Sequence, residues 1–131
     1  MSVFTRYGLS GIGALGLLTA VHWLRGLAFL PSPLGDYLLG VLPNFAAAIA
    51  IAFVALSIWS DQNRDADFAS TKRAFLFTAA MSGAGLLAWE FFQQTSDRLV
   101  FDPHDIGATL VGLGAAGLLF HALTRQLRTG T

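Results

Sequence analysis

The sequence predicts an all-α protein, a four-helix transmembrane bundle with short loops. Three observations carry that prediction. Hydrophobic residues make up 54% of the 131-residue chain and charged residues only 12%, a balance that ordinary soluble domains do not show. The charges are gathered into short clusters, at Arg6, Arg25, Asp36, Asp61 to Arg73, Glu90 to Asp105, and Arg125 to Arg128. Between the clusters lie uncharged apolar runs close to the about 20 residues that a helix needs to cross a bilayer. The whole chain, residues 1–131, reads as a single integral membrane domain.

The first span covers about residues 7–24, and His22, Trp23 and Arg25 form an interfacial cluster at its far end. Arg6 followed by an apolar run resembles a secretory leader, but no small-x-small cleavage site follows it. The run is therefore expected to remain as the first helix. Leu30-Pro31-Ser32-Pro33-Leu34-Gly35-Asp36 is expected to form a turn or re-entrant piece, because two prolines and a glycine oppose regular helix. The second span covers about residues 37–59, and Pro43 in its first turns is expected to kink or restart it.

A polar loop from Ser60 to Thr71 carries Asp61, Arg64, Asp65 and Asp67 and leads to the third span, about residues 73–93. The fourth span, about residues 105–123, opens on Asp102-Pro103-His104-Asp105. That is what a helix start needs. Asp102 can cap, Pro103 suits the first helical position, and Asp105 lies near free amides at the positive end of the helix dipole. A short tail holds Arg125 and Arg128, with His121 at the interface just before it.

Lysine and arginine placement gives an expected orientation. Arg6, Arg64, Lys72, Arg73, Arg125 and Arg128 lie on the side of the termini and middle loop, against only Arg25 and Arg98 on the other. Both termini are thus expected in the cytoplasm, with the Pro31 and Asp97-to-His104 loops outside. Small-residue ridges at Ala80, Ala84 and Ala88, and at Ala108, Gly112 and Ala116, are expected to bring helices three and four, or two protomers, into close contact. Ser82, among glycines and alanines, reads as packing, and Trp89, Phe91 and Phe92 as an interfacial belt.

Chemistry concentrates between Glu90 and Asp105, where ionisable groups sit at a membrane boundary. Glu90 and Gln93, three residues apart, share a helix face. Glu90 either snorkels to the headgroups, pairs with Arg98, or serves a site. Arg98 is suited to lipid phosphate or to a fork onto Asp102 or Asp105. His104, between two carboxylates, is a candidate proton carrier. Glu90, Gln93, Arg98, Asp102, His104 and Asp105 form the candidate ligand-binding set, and Glu90 and Asp105 are the candidates for any catalysis.

Glu90-x-x-Gln93, Arg98, Phe101-Asp102, Asp105 and Gly112 together resemble the signature of the VanZ-like membrane protein family. The resemblance covers the C-terminal third. Arg98 stands about one residue early, Thr109 takes the place of an asparagine, and Asn44-Phe45 only loosely matches a His-Phe segment of helix two. The resemblance implies a small multi-helix protein of the bacterial cytoplasmic membrane, associated in some relatives with the cell envelope and glycopeptide tolerance. It supplies a fold more firmly than a reaction.

Three function classes follow. The first is a VanZ-like protein with an outward polar pocket for an envelope lipid or amphipathic ligand, with binding favoured over catalysis. The second is an accessory subunit of a larger membrane complex. The third is a small proton-linked transporter, which four short helices could form only as an oligomer. Expected partners are membrane lipids, other membrane subunits or a second copy of the chain. Zero net charge with no basic stripe argues against nucleic acid. The absence of cysteine and the scattering of three histidines give no metal-ligand spacing, so neither a metal nor a cofactor is expected.

Overall fold

A computed structural model describes residues 2–27, 33–94 and 103–125 of the chain. Among the described residues there are four α-helices and no strand: α1 (Val3–Leu27), α2 (Pro33–Gln62), α3 (Phe68–Gln94) and α4 (Pro103–Leu123). Each contains an apolar segment long enough to cross a bilayer, at Thr5–Leu24, Gly40–Gln62, Phe68–Phe92 and Pro103–Leu123. The chain is a four-helix integral membrane protein.

The helices outrun the predicted spans, and local chemistry explains where they start. Ser2 caps α1, its Oγ accepting a hydrogen bond from the Thr5 amide at 3.2 Å. α2 starts at Pro33, inside the segment expected as a turn, and so takes in Gly35 and Asp36. Proline suits this position, because its missing N–H falls among the first-turn amides that have no intrahelical partner. Nor does α2 restart at Pro43, which lies within the continuous helix. A bundle tolerates one lost backbone bond where neighbouring groups compensate.

The loop expected from Ser60 to Thr71 shrinks to residues 63–67. Asp67 is the reason α3 begins so early, since its Oδ1 accepts the Ser70 amide at 2.9 Å in N-cap geometry. Hydrogen bonds from the Ser70 hydroxyl and amide hold the Asp67 carboxyl below its ordinary pKa.

α2 is the central helix and packs on α1, α3 and α4. Its buried residues, among them Ala46, Ala48, Ala50, Phe53 and Leu56, run around the helix instead of along one face. Small alanines let three neighbours come close. α1 buries one helical stripe, through Val3, Tyr7, Gly11, Ala14 and Val21. α3 buries Thr71, Phe75, Thr78, Ser82 and Glu90, and α4 buries Thr109, Gly112, Ala116 and Phe120.

Toward the end that holds the 63–67 loop, each helix contributes one ring to a closed circuit. Tyr7 meets Phe53 at 6.2 Å, Phe53 meets Phe75 at 6.0 Å, Phe75 stacks on Phe120 at 4.3 Å, and Phe120 returns to Tyr7 at 6.0 Å. Such ring pairs add directional attraction to the area they cover. This layer locks the four helices together at one end.

Of the two contacts expected of the small-residue ridges, the one joining α3 to α4 is not made by them within the bundle. A Cβ built on Gly112 would lie 2.7 Å from the Phe45 carbonyl oxygen and 3.0 Å from the Ala48 Cβ, so the α4 ridge meets α2 and not α3. Ala80, Ala84 and Ala88 are exposed and turn away from the bundle. Ser82 does more than pack: its Oγ donates to the Ala48 carbonyl at 3.0 Å and ties α3 to α2.

Candidate functional site

In a bilayer the polar side chains of a helix turn toward its neighbours, because lipid offers them no partner. α3 follows that rule, and its inward stripe ends on Glu90. This carboxyl is 1% exposed. It therefore does not snorkel to the headgroups, and it differs from its neighbours Trp89, Phe91 and Phe92, which face outward. The Trp89 and Phe92 rings stack at 5.7 Å on the lipid side, as an interfacial belt does.

Helical register places Glu90 relative to α4. Ala48, Ser82 and Gly112 share one level, joined by the Ser82–Ala48 hydrogen bond and the Gly112–Ala48 contact. From that level Glu90 lies eight residues along α3, while Asp105 and His104 lie seven and eight residues back along the antiparallel α4. At a rise of about 1.5 Å per residue, both displacements are about 11–12 Å toward the same end. The structure thus brings Glu90, Asp105 and His104 to one level of the bundle.

Asp105 occupies the first turn of α4, half-buried, where the dipole favours a negative charge. Thr109 is buried one turn below and donates its hydroxyl to the Asp105 carbonyl at 2.9 Å. Its proton is committed to the backbone, so the Thr109 hydroxyl offers the site no free donor. His104 is exposed at the rim. Arg98 and Asp102 lie outside the described residues. Gln93 lies on α3 one turn beyond Glu90, with its side chain outside the description, as is the side chain of Arg25.

Beside this level runs a groove between α2 and α4, with a volume of about 490 Å³. Val41 and Phe45 form one wall and Gly107, Ala108 and Val111 the other, and His104 stands at the mouth. Gly107 opens it, since nothing approaches within 4 Å of where its Cβ would be. The lining was not legible as a site in the sequence, because its residues are the same apolar types that face lipid everywhere else. A hydrophobic slot ending at a polar rim matches an amphipathic ligand more closely than a water-soluble one.

A larger crevice of about 620 Å³ lies at the other end, lined by Ser2, Thr5, Ser57, Asp61 and Arg64. It is a surface cleft crossed by the exposed Asp61–Arg64 pair and is remote from Glu90. Among the described residues no three metal-ligating side chains converge. Compared with family models, curated proteins and solved structures, the chain finds no match.

Proposed function

We propose that this protein binds an envelope lipid or similar amphipath, as a non-catalytic VanZ-like protein of the bacterial cytoplasmic membrane. The observation that carries the reading is a buried carboxyl, Glu90, level with Asp105 and with His104, which lines the mouth of an apolar groove between α2 and α4. A carboxyl withdrawn from both water and headgroups must be protonated, hydrogen-bonded or charge-paired. A ligand head group completing that arrangement would be held at the groove's mouth while its hydrocarbon lies along Phe45 and Val111. Arg98 is the natural holder of an anionic head, and Glu90 with Asp105 orients it or exchanges protons with it. Both termini face the cytoplasm in this reading, as the six-against-two lysine and arginine bias indicates.

A diazirine-tailed polyprenyl phosphate tests the assignment. Cross-links should map to residues 41–45 and 107–111, and Gly107→Phe should reduce them several-fold. Glu90→Gln and Asp105→Asn should change the preference among head groups. Cross-links spread evenly around all four helices, or unaffected by Gly107→Phe, would sink the idea. A reporter fused after Asp97 should lie outside the cytoplasm.

The exposed Ala80, Ala84 and Ala88 face favours a second reading, that of an accessory subunit, since small residues facing lipid permit close approach of another helix. Mild-detergent purification separates the two: co-purification with a larger complex supports the accessory role, and an isolated monomer counts against it.

A further inference from the structure

We propose that the cleft between the start of α3 and the end of α4 binds an anionic phospholipid from the leaflet that meets Lys72. This site is at the opposite end of the bundle from Glu90 and does not depend on the function proposed above. The void is about 360 Å³. Its floor is the Phe75–Phe120 pair, whose rings lie 4.3 Å apart and within 3° of parallel. Leu76 makes one side, and Gly117 leaves the other open, with nothing within 4 Å of where its Cβ would be. That is a slot for hydrocarbon.

The mouth holds one ammonium and one imidazole. Lys72 and His121 both line the cleft and both are exposed. The contact of Gly83 with Leu113 sets the α3–α4 register, which leaves Lys72 about one helical turn further out than His121. A phosphodiester entering the slot would meet an imidazole N–H first and an ammonium above it. Of the nearby carboxylates, Asp61 at the end of α2 pairs with Arg64 and Asp67 caps α3 through Ser70, while Asp65 is exposed on the 63–67 loop and does not line the cleft. A lipid with net negative charge matches this mouth, whereas a zwitterionic lipid brings a cation of its own that Lys72 repels.

Native mass spectrometry of the full chain, titrated with dioleoyl phosphatidylglycerol and dioleoyl phosphatidylcholine, tests the assignment. The anionic lipid should bind about fivefold more tightly per cation that meets its phosphate. The double variant Lys72→Gln, His121→Gln should bind the two lipids equally, with helical circular dichroism unchanged because both side chains are exposed. Gly117→Leu should weaken both lipids by filling the slot. Equal binding of the two lipids by the unaltered chain would overturn the proposal. So would a preference that survives in the double variant and disappears instead in Arg73→Gln or Arg125→Gln.

Discussion

Gly112→Ala is the substitution that most directly tests the packing of this bundle. The added methyl would stand 2.7 Å from the Phe45 carbonyl oxygen and 3.0 Å from the Ala48 Cβ. Restoring ordinary contact of at least 3.4 Å from 2.7 Å parts the two backbones by about 0.7 Å. No rotamer change relieves this, because the nearest obstacle is main chain. Overpacking of this kind costs about 1–3 kcal/mol. Alanine is also the better helix former, by about 1 kcal/mol, and this gain masks part of the loss. Gly114→Ala removes the ambiguity. It lies on the same helix with nothing within 4 Å of its Cβ position, so it receives the same propensity gain without the clash. The two variants should therefore differ by about 1–3 kcal/mol in resistance to SDS-induced unfolding, followed by circular dichroism in mixed micelles. Adding Ala48→Gly to Gly112→Ala should recover only part of the difference, since the carbonyl contact remains. Equal unfolding midpoints for Gly112→Ala and Gly114→Ala would refute the close approach of α4 to α2.

Phe120→Ala should cost on the order of 3 kcal/mol in the same assay by opening the four-ring layer, while Phe77→Ala, on the exposed side of α3, should cost almost nothing. Ser82→Ala should cost about 0.6 kcal/mol, the usual worth of an interhelical hydrogen bond in a bundle; a loss several times larger would show that the hydroxyl does more than bind Ala48. Asp67 has a carboxyl held below its ordinary pKa of 3.8, so its capping contribution is complete above that value and disappears as pH falls through the depressed one. Asp67→Ala should therefore weaken α3 at neutral pH and remove part of the loss of helicity on acidification, both read by circular dichroism.

The spans were legible in the sequence because each is an uninterrupted apolar run bounded by charge. Their ends were less so. Pro33 was taken for a breaker when it is a starter, and Asp67 looked like one more loop charge although its spacing to Ser70 is that of an N-cap. Helix faces were legible only where polar groups marked them. On α4 the ridge of Ala108, Gly112 and Ala116 marked the packed side correctly at Gly112 and Ala116, whereas Ala108 lines the groove and the buried Thr109 belongs to the packed stripe. On α3 the alanine ridge lies on the exposed side, whereas Thr71, Thr78, Ser82 and Glu90 lie on one helical stripe and trace the buried one. In lipid a small residue permits contact, but a polar residue requires it. The aromatic layer was invisible for a related reason. Tyr7, Phe53, Phe75 and Phe120 come from four separate segments, and nothing local distinguishes them from Phe77 or Phe91, which face outward. As for the site, the sequence pointed to Glu90, Gln93, Arg98, Asp102, His104 and Asp105; helical register puts Glu90, His104 and Asp105 at one level, and Arg98 and Asp102 lie outside the described residues. The groove beside them emerged only from the juxtaposition of α2 and α4.

The level shared by Ala48, Ser82 and Gly112 has a mechanical consequence. Three helices meet there: a hydroxyl and a carbonyl join α3 to α2, a glycine lets α4 onto α2, and the Leu113 side chain fills the space between α3 and α4. A constriction made of long side chains opens when a rotamer swings aside, in nanoseconds and at little cost. One made of backbone opens only when whole helices separate. Parting α2 from α4 at this level therefore means moving whole helices.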